Sequence, residues 1–412
     1  MELRPALSDK IRRLLDKGVN FPNALSVDIG DEIDIDRISG DGVKIYPGCR
    51  IYGDKTVISA GALIGREGPA TIEDCQIGPQ VELKGGYFSK SVFLQQSNLG
   101  LAAQVREACL LEEEAGGAHC VGLKQTILFP FVTLGSLINF CDCLMAGGTS
   151  RKNHSEVGSS YVHFNFTPDG DKTTASLLGD VPRGVMLNQP PIFLGGQGGM
   201  VGPLRLGFGN VVAAGCVMRK DVLAERQLIV GKALAGMTTE FLPRSYPGLS
   251  RIVRNNFIYL ANLAALEQWY IQVRQPFFQE QELGGLVYRG ALEKLSMATG
   301  ERCKRLEDMA GKLAVTQNGG GDAPGRRQLR ENAVRVCELL AGATAQQAGH
   351  RERDLFLAGL EKNREQGAGY VDTIRHLPED VLREGTQWLD QVLDRVARLL
   401  ASLVPALDVA GD

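Results

Sequence analysis

The sequence predicts a β-solenoid, a left-handed parallel β-helix of hexapeptide repeats, followed by an all-α region. Three observations carry this: aliphatic residues recur every six positions before residue 243, small residues crowd the positions between them, and after 243 the apolar spacing becomes helical. Ile45, Ile51, Val57 and Leu63 are six apart, as are Leu99, Val105 and Leu111, then Val132, Ile138 and Leu144, then Met200, Leu206, Val212 and Met218. That period is neither the 3.6 of a helix nor the alternation of an ordinary strand. Each hexapeptide makes one short strand and one corner. Three of them close a triangular coil, and the next coil stacks about 4.8 Å above it. One aliphatic side chain per hexapeptide fills the prism. Small residues turn the corners, as in Tyr46-Pro47-Gly48, Ser59-Ala60-Gly61, Gly207-Phe208-Gly209 and Ala213-Ala214-Gly215.

In chain order, residues 1–30 form a lead-in with a short helix from Ala6 to Leu15, 31–242 the solenoid, and 243–412 the helical region. The six-residue phase breaks at Met145–Glu156, Phe166–Thr174 and Leu187–Gly199. These polar, Gly- and Pro-rich segments are expected as loops on a rigid scaffold, where binding residues gather. Ser250–Val273 carries a wide apolar stripe (Ile252, Val253, Phe257, Leu260, Leu263, Leu266, Tyr270). Glu280–Val315 reads as a long amphipathic helix with Gly284-Gly285 as an interruption, Asn318–Gly325 as a linker, and Arg327–Leu340 and Glu352–Glu365 as helices. A last helix starts at His376–Asp380 and runs to Leu403. Such stripes predict a packed bundle.

Composition narrows the function classes. With 45 Lys+Arg against 48 Asp+Glu the net charge is −3, so no basic field for nucleic acid is expected. Apolar content of 44% and charged content of 23% are those of a globular chain. No apolar run approaches the ~20 residues of a spanning helix, and Met1–Arg13 is too charged for a signal peptide. The expectation is a cytoplasmic protein acting on neither nucleic acid nor membrane. The nine scattered cysteines read as reduced thiols, with no metal spacing among them. There is no G-x-x-x-x-G-K-[ST] loop, no G-x-S-x-G elbow and no H-E-x-x-H.

One constellation remains. Val157–Phe166 (VGSSYVHFNF), Asp169-Gly170-Asp171-Lys172 and Leu178-Gly179-Asp180 are followed by Met200–Asn210, Ala213-Ala214-Gly215 and Arg219-Lys220-Asp221-Val222. Over residues 6–242 the chain resembles the hexapeptide acetyltransferases. Among these it is most similar to the acetyltransferase half of the bifunctional N-acetylglucosamine-1-phosphate uridylyltransferase/glucosamine-1-phosphate acetyltransferase family. No Gly-rich nucleotide loop like that of the uridylyltransferase half opens the chain. The resemblance implies acetyl-CoA as co-substrate, a homotrimer with sites between prisms, and a sugar-phosphate site at Arg106 and Lys124, with Asn139, Asn165, Asp169 and Lys172 on the substrate. It places the pantetheine arm over Ala213, Ala214 and Gly215, with Arg219, Lys220 and Lys232 for its phosphates. The family's catalytic histidine sits in a stretch near G-H-L-T-Y-x-G-D. Here the stretch is Gly135-Ser136-Leu137-Ile138-Asn139-Phe140-Cys141-Asp142, so Ser136 holds the histidine's place and Asn139 the tyrosine's.

Amine acetylation needs a base that titrates near neutrality. His154, oriented by Glu156 on the Met145–Glu156 loop, is the first candidate, His163 the second, and His119 a third near Arg106 and Lys124. Two readings follow. One is an acyl-CoA-dependent transferase acting on an amino-sugar phosphate or nucleotide sugar. The other is an inactive scaffold or sugar-phosphate sensor whose helical tail engages a protein partner.

Overall fold

The structure is a computed structural model that describes residues 7–231, 236–313, 323–341, 348–365 and 367–409. The opening helix α1 (Asp9–Lys17) starts later than the expected Ala6, which lies outside the described residues. The Ser8 side chain accepts from the Ile11 N–H and Gly18, at φ +110°, closes the other end. Ile11 and Leu14 bury its inner face against the first coil.

The solenoid follows as a parallel β-helix running from Asp28–Ile29 to Leu228–Ile229. Its first face contains Arg50–Tyr52, Ala70–Glu73, Gly86–Ser89, Ala103–Val105 and, later, Val162–Phe164, Gly199–Val201 and Val217–Met218. The second contains Val57–Ile58, Gln76–Ile77, Val92–Phe93, Leu110–Leu111, Ser176–Leu178 and Arg205–Leu206. The third is a ten-stranded sheet from Lys44–Ile45 to Leu228–Ile229. Gly122–Leu128 and Asn139–Met145 run unbroken around the corner between the first two faces and pair with strands of both.

The rows inside the prism are mostly apolar, but the inward position does not everywhere fall where the six-residue period puts it: Ile58 and Met145 point in, and Val57 and Leu144 lie on the outward row of the second face. Leu63 is half-buried on the outside and Ile64 points in, paired with Ile45 and Leu83. The Gly53–Lys55 turn holds one residue more than the period allows, so the inward residue after Ile51 is Ile58, seven positions on, and Ile64 follows it six later. The three phase breaks also differ in detail. The first contains the antiparallel hairpin Gly148–Ser150/Asn153–His154. The second is the expected loop. The third is shorter than predicted, because Phe193–Leu194 is a strand of the third face. A short helix α2 (Val181–Gly184), capped by Asp180, precedes it.

On the second face the outward row is buried as well: Val57, Gln76, Val92, Leu110, Ile127, Leu144 and Leu177 are all nearly inaccessible. The helical region covers them. It comprises α3 (Leu249–Trp269), a π-helical turn Tyr270–Arg274, α4 (Gln275–Gln279), α5 (Gly284–Lys312), α6 (Pro324–Ala341), α7 (His350–Asn363), α8 (Tyr370–Arg375) and α9 (Glu379–Ala401). Gly284-Gly285 open α5 rather than interrupt it, after Leu283 at φ +59°. Most of the expected Asn318–Gly325 linker lies outside the described residues, and α8 had no counterpart in the sequence reading. Trp269, Phe356 and Trp388 lock α3, α7 and α9 together, with ring centroids 5.4–6.4 Å apart. Two buried ion pairs join helices to coils. Arg274 grips Glu113 at 2.5 and 3.0 Å, and Arg302 meets Asp142 at 2.5 Å.

Candidate functional site

With the second face covered, the opposite corner, where the third face turns into the first, stays open. It is built from Gly100-Leu101-Ala102, Ala118-His119-Cys120, Gly135-Ser136-Leu137, Gly158-Ser159-Ser160, Gly195-Gly196-Gln197 and Ala213-Ala214-Gly215 on successive coils. Each turn donates an N–H to a carbonyl of the preceding one: Cys120 to Leu101, Leu137 to His119, Ser160 to Ser136, Gln197 to Ser159 and Gly215 to Gly196. Glycine is required where the turns touch. A Cβ on Gly158 would lie 2.4 Å from the Gly196 nitrogen, and one on Gly195 2.3 Å from that of Ala214. The predicted pantetheine residues Ala213, Ala214 and Gly215 thus close a column of stacked turns that begins at Gly100 and passes through His119 and Ser136; most of its residues are small, but Leu101 and Leu137 project from it as exposed side chains.

The first face lies beside this column. Val105 and Leu123 are paired, so the next residues, Arg106 and Lys124, sit on adjacent rungs. Arg106 is exposed, and the Lys124 ammonium meets Glu107 at 2.8 Å. Cys141 follows on the next rung. Burial and Asp142 hold its thiol above the ordinary value while Arg106, Lys124 and Lys172 pull the other way. Asn139 is exposed on the same strand, near the open corner. The structure therefore brings Arg106, Lys124 and Asn139 to one face, with Lys172 on the loop that leaves the same face after Phe164. Arg219 and Lys220 are exposed at that face's other end, five rungs or about 24 Å away. Lys232 lies outside the described residues.

Asn165 and Asp169 are already engaged. Asn165 donates to Asp142 (3.1 Å) and accepts from the Thr174 hydroxyl (2.6 Å). Asp169 accepts the Arg244 N–H at 2.9 Å, and neighbouring Asp171 the Tyr246 hydroxyl at 2.9 Å. The Lys172 carbonyl accepts from Arg302 at 3.2 Å, leaving its side chain exposed. The helical region thus holds the whole 165–174 loop. A cavity of about 680 Å³ lined by Phe166, Pro168, Phe241 and Tyr246 opens beyond it.

Neither the first nor the second candidate histidine stands by Ser136. His163 occupies the inward row between Phe140 and Met200, is 3% exposed, and meets the Ser176 hydroxyl at 2.8 Å through Nε2. Burial drives its pKa down to about 4, so it is a neutral core residue shut off from the groove. His154 sits on the hairpin at the corner between the second and third faces. The strand Glu156–Val157 separates it from Ser159, so five residues of chain, up to about 17 Å when extended, lie between it and the open corner. The hairpin does not swing freely either: Arg151 staples it to the Glu114 and Phe131 carbonyls at 3.0 and 2.9 Å. The histidine found at the open corner is His119, whose Nδ1 lies 3.0 Å from the Ser136 hydroxyl. The 17-residue offset between them is one coil, and that period was the signal available in the sequence.

No protein-family model matches the chain. Among curated proteins it is 27% identical over 214 residues to the bifunctional protein GlmU of Thermotoga maritima, covering 52% of this chain and 42% of that one. The GlmU proteins of Clavibacter sepedonicus (26% over 190 residues, 46% and 34% coverage) and Fervidobacterium nodosum (26% over 216 residues, 52% and 41%) match likewise. The solenoid is similar to part of GlmU. The chain spans less than half the length of these relatives, and the match supports the hexapeptide-repeat resemblance that the parallel β-solenoid bears out. Among the described residues no helix is long and apolar enough to cross a membrane.

Proposed function

We propose that the protein is a cytoplasmic acyl-CoA-dependent transferase, acting with acetyl-CoA on the amino group of an amino-sugar phosphate or nucleotide sugar. The observation that carries this reading is the placing of Arg106 and Lys124 on adjacent rungs of an open face, beside a column of stacked turns that ends in the small residues Ala213–Gly215. Phosphate chemistry suits such cations, which form charge-assisted hydrogen bonds. A pantetheine arm needs a strip without bulky side chains, and Arg219 and Lys220 stand at its far end for the carrier's phosphates. Asn139 is the substrate-side polar group nearest the column. With the second face covered, the other two faces are those on which a homotrimer would assemble. Isothermal titration with acetyl-CoA and with glucosamine 1-phosphate, followed by a thiol-release assay with both, tests the reading.

A second reading has its own observation. Asn165 and Asp169 are spent on contacts within the chain, and the helical region clamps their loop. That arrangement suits a sugar-phosphate sensor or scaffold whose helical region engages a protein partner. Binding of glucosamine 1-phosphate without thiol release from acetyl-CoA decides for it.

A further inference from the structure

The open corner has a histidine even though Ser136 stands where the resemblance places one: His119, one coil before Ser136 and 3.0 Å from its hydroxyl. We propose that His119 is the general base of the transfer and that Ser136 is its positioning residue. The inference rests on the acyl-transfer reading above and names the residues that reading lacks.

Both members are fixed by backbone. The Ser136 N–H donates to the Ser159 hydroxyl at 3.1 Å, and the Ser136 carbonyl accepts from Ser160 at 2.8 Å. The His119 carbonyl accepts from Leu137 at 3.1 Å. Their side chains therefore face each other on successive rungs, and the 3.0 Å Nδ1–Oγ separation is that of a hydrogen bond. When Nδ1–H donates to the serine oxygen, the lone pair lies on Nε2, which has no hydrogen-bond partner among the described residues. A nucleophile's base held in one tautomer by a third group is the arrangement that proton abstraction requires. His119 is exposed, so it contributes little to packing, and its turn leads directly into the strand that carries Lys124.

The step balances. The substrate amine attacks the thioester carbonyl, a C–N bond forms, and its extra proton passes to Nε2. The C–S bond of the tetrahedral intermediate then breaks, and the imidazolium returns the proton to the departing thiolate. The products are the amide and free CoA thiol, with neutral His119 restored.

The test measures thiol release from acetyl-CoA with glucosamine 1-phosphate for the wild type, His119→Ala, His119→Gln, Ser136→Ala and Ser136→Thr. Both His119 variants are expected to lose 10²–10⁴-fold in kcat, with both KM values within threefold. Added imidazole should restore part of the His119→Ala rate, which it could not do for a structural defect. Ser136→Ala should lose about tenfold in kcat, with Ser136→Thr recovering most of it. A wild type that is active and His119 variants that stay within threefold of it overturn this inference alone. A wild type that releases no thiol with this acceptor overturns the transferase reading and the base with it.

Discussion

Replacing Arg302 by methionine should cost the protein about 3–5 kcal/mol, the range for breaking a buried ion pair by removing one partner. The burial decides the magnitude: the Arg302 and Asp142 side chains are 2% and 6% exposed, whereas pairs at the surface contribute about 0–1 kcal/mol. Asp142 is a hub. One oxygen takes the Arg302 guanidinium at 2.5 Å, and the other accepts from Asn165 at 3.1 Å, with the Thr174 hydroxyl, whose proton goes to Asn165, 3.4 Å away. Without the guanidinium the carboxylate keeps one neutral donor, Asn165, and no counter-charge, and the Lys172 carbonyl loses its donor. Arg302→Met/Asp142→Asn removes the stranded charge and should recover about 1–2 kcal/mol of the loss. Urea unfolding measures these differences, and limited proteolysis reports whether the 165–174 loop is released. Because that loop carries Lys172, KM for glucosamine 1-phosphate should rise while acetyl-CoA affinity holds. A single-variant loss below about 1 kcal/mol, or a double variant no more stable than the single one, would refute the argument that an uncompensated buried charge sets the cost.

Arg106→Ala should weaken glucosamine 1-phosphate binding about tenfold or more by calorimetry, since a charged hydrogen bond contributes about 1.5–3 kcal/mol, and the urea midpoint should not move. Gly158→Ala puts a methyl 2.4 Å from the Gly196 nitrogen, so two coils must part. A lower melting temperature and weaker acetyl-CoA binding are expected together, and an unchanged melting temperature would contradict the close stacking. The buried, neutral His163 sets an acid limb. Its folded pKa of about 4 lies below the ordinary 6.5, so the unfolded chain binds the proton that the fold excludes. Stability should fall as pH drops from 6.5 toward 4, by roughly 3 kcal/mol in total. Urea midpoints across this range should show that slope, and His163→Leu, which suits the inward row, should flatten it. Glu112 acts in the opposite sense. Burial lifts its pKa from 4.5 to about 7, so its share of stability declines as pH rises through that window, and Glu112→Gln should remove the decline.

Much of the solenoid was legible in residue order alone, because each hexapeptide repeats the same backbone geometry and the same inward position. Ile45, Leu99 and Met200 could be placed inside the prism from their spacing. Arg106 and Lys124 fell on one face for the same reason. The covered face was also written in the chain, in six of its coils, as apolar doublets: Val57-Ile58, Val92-Phe93, Leu110-Leu111, Ile127-Leu128, Leu144-Met145 and Leu177-Leu178. Two adjacent buried residues in a strand mean that both sides are shielded from water. Only the tertiary structure decided what shields them. Arg302 finds Asp142 across 160 residues and Arg274 finds Glu113 across 161, and no local pattern marks either pair. The fate of the histidines belongs to the same class. His163 is inside because its register partners are Phe140 and Met200, and His154 is held away by the Arg151 staple. His119 meets Ser136 because an irregular coil of 17 residues brings them level. Local periodicity follows from backbone geometry that each repeat imposes by itself. The contacts that make the site follow from side chains meeting across coils and across the helical region, and these depend on register and burial that exist only once the chain has packed.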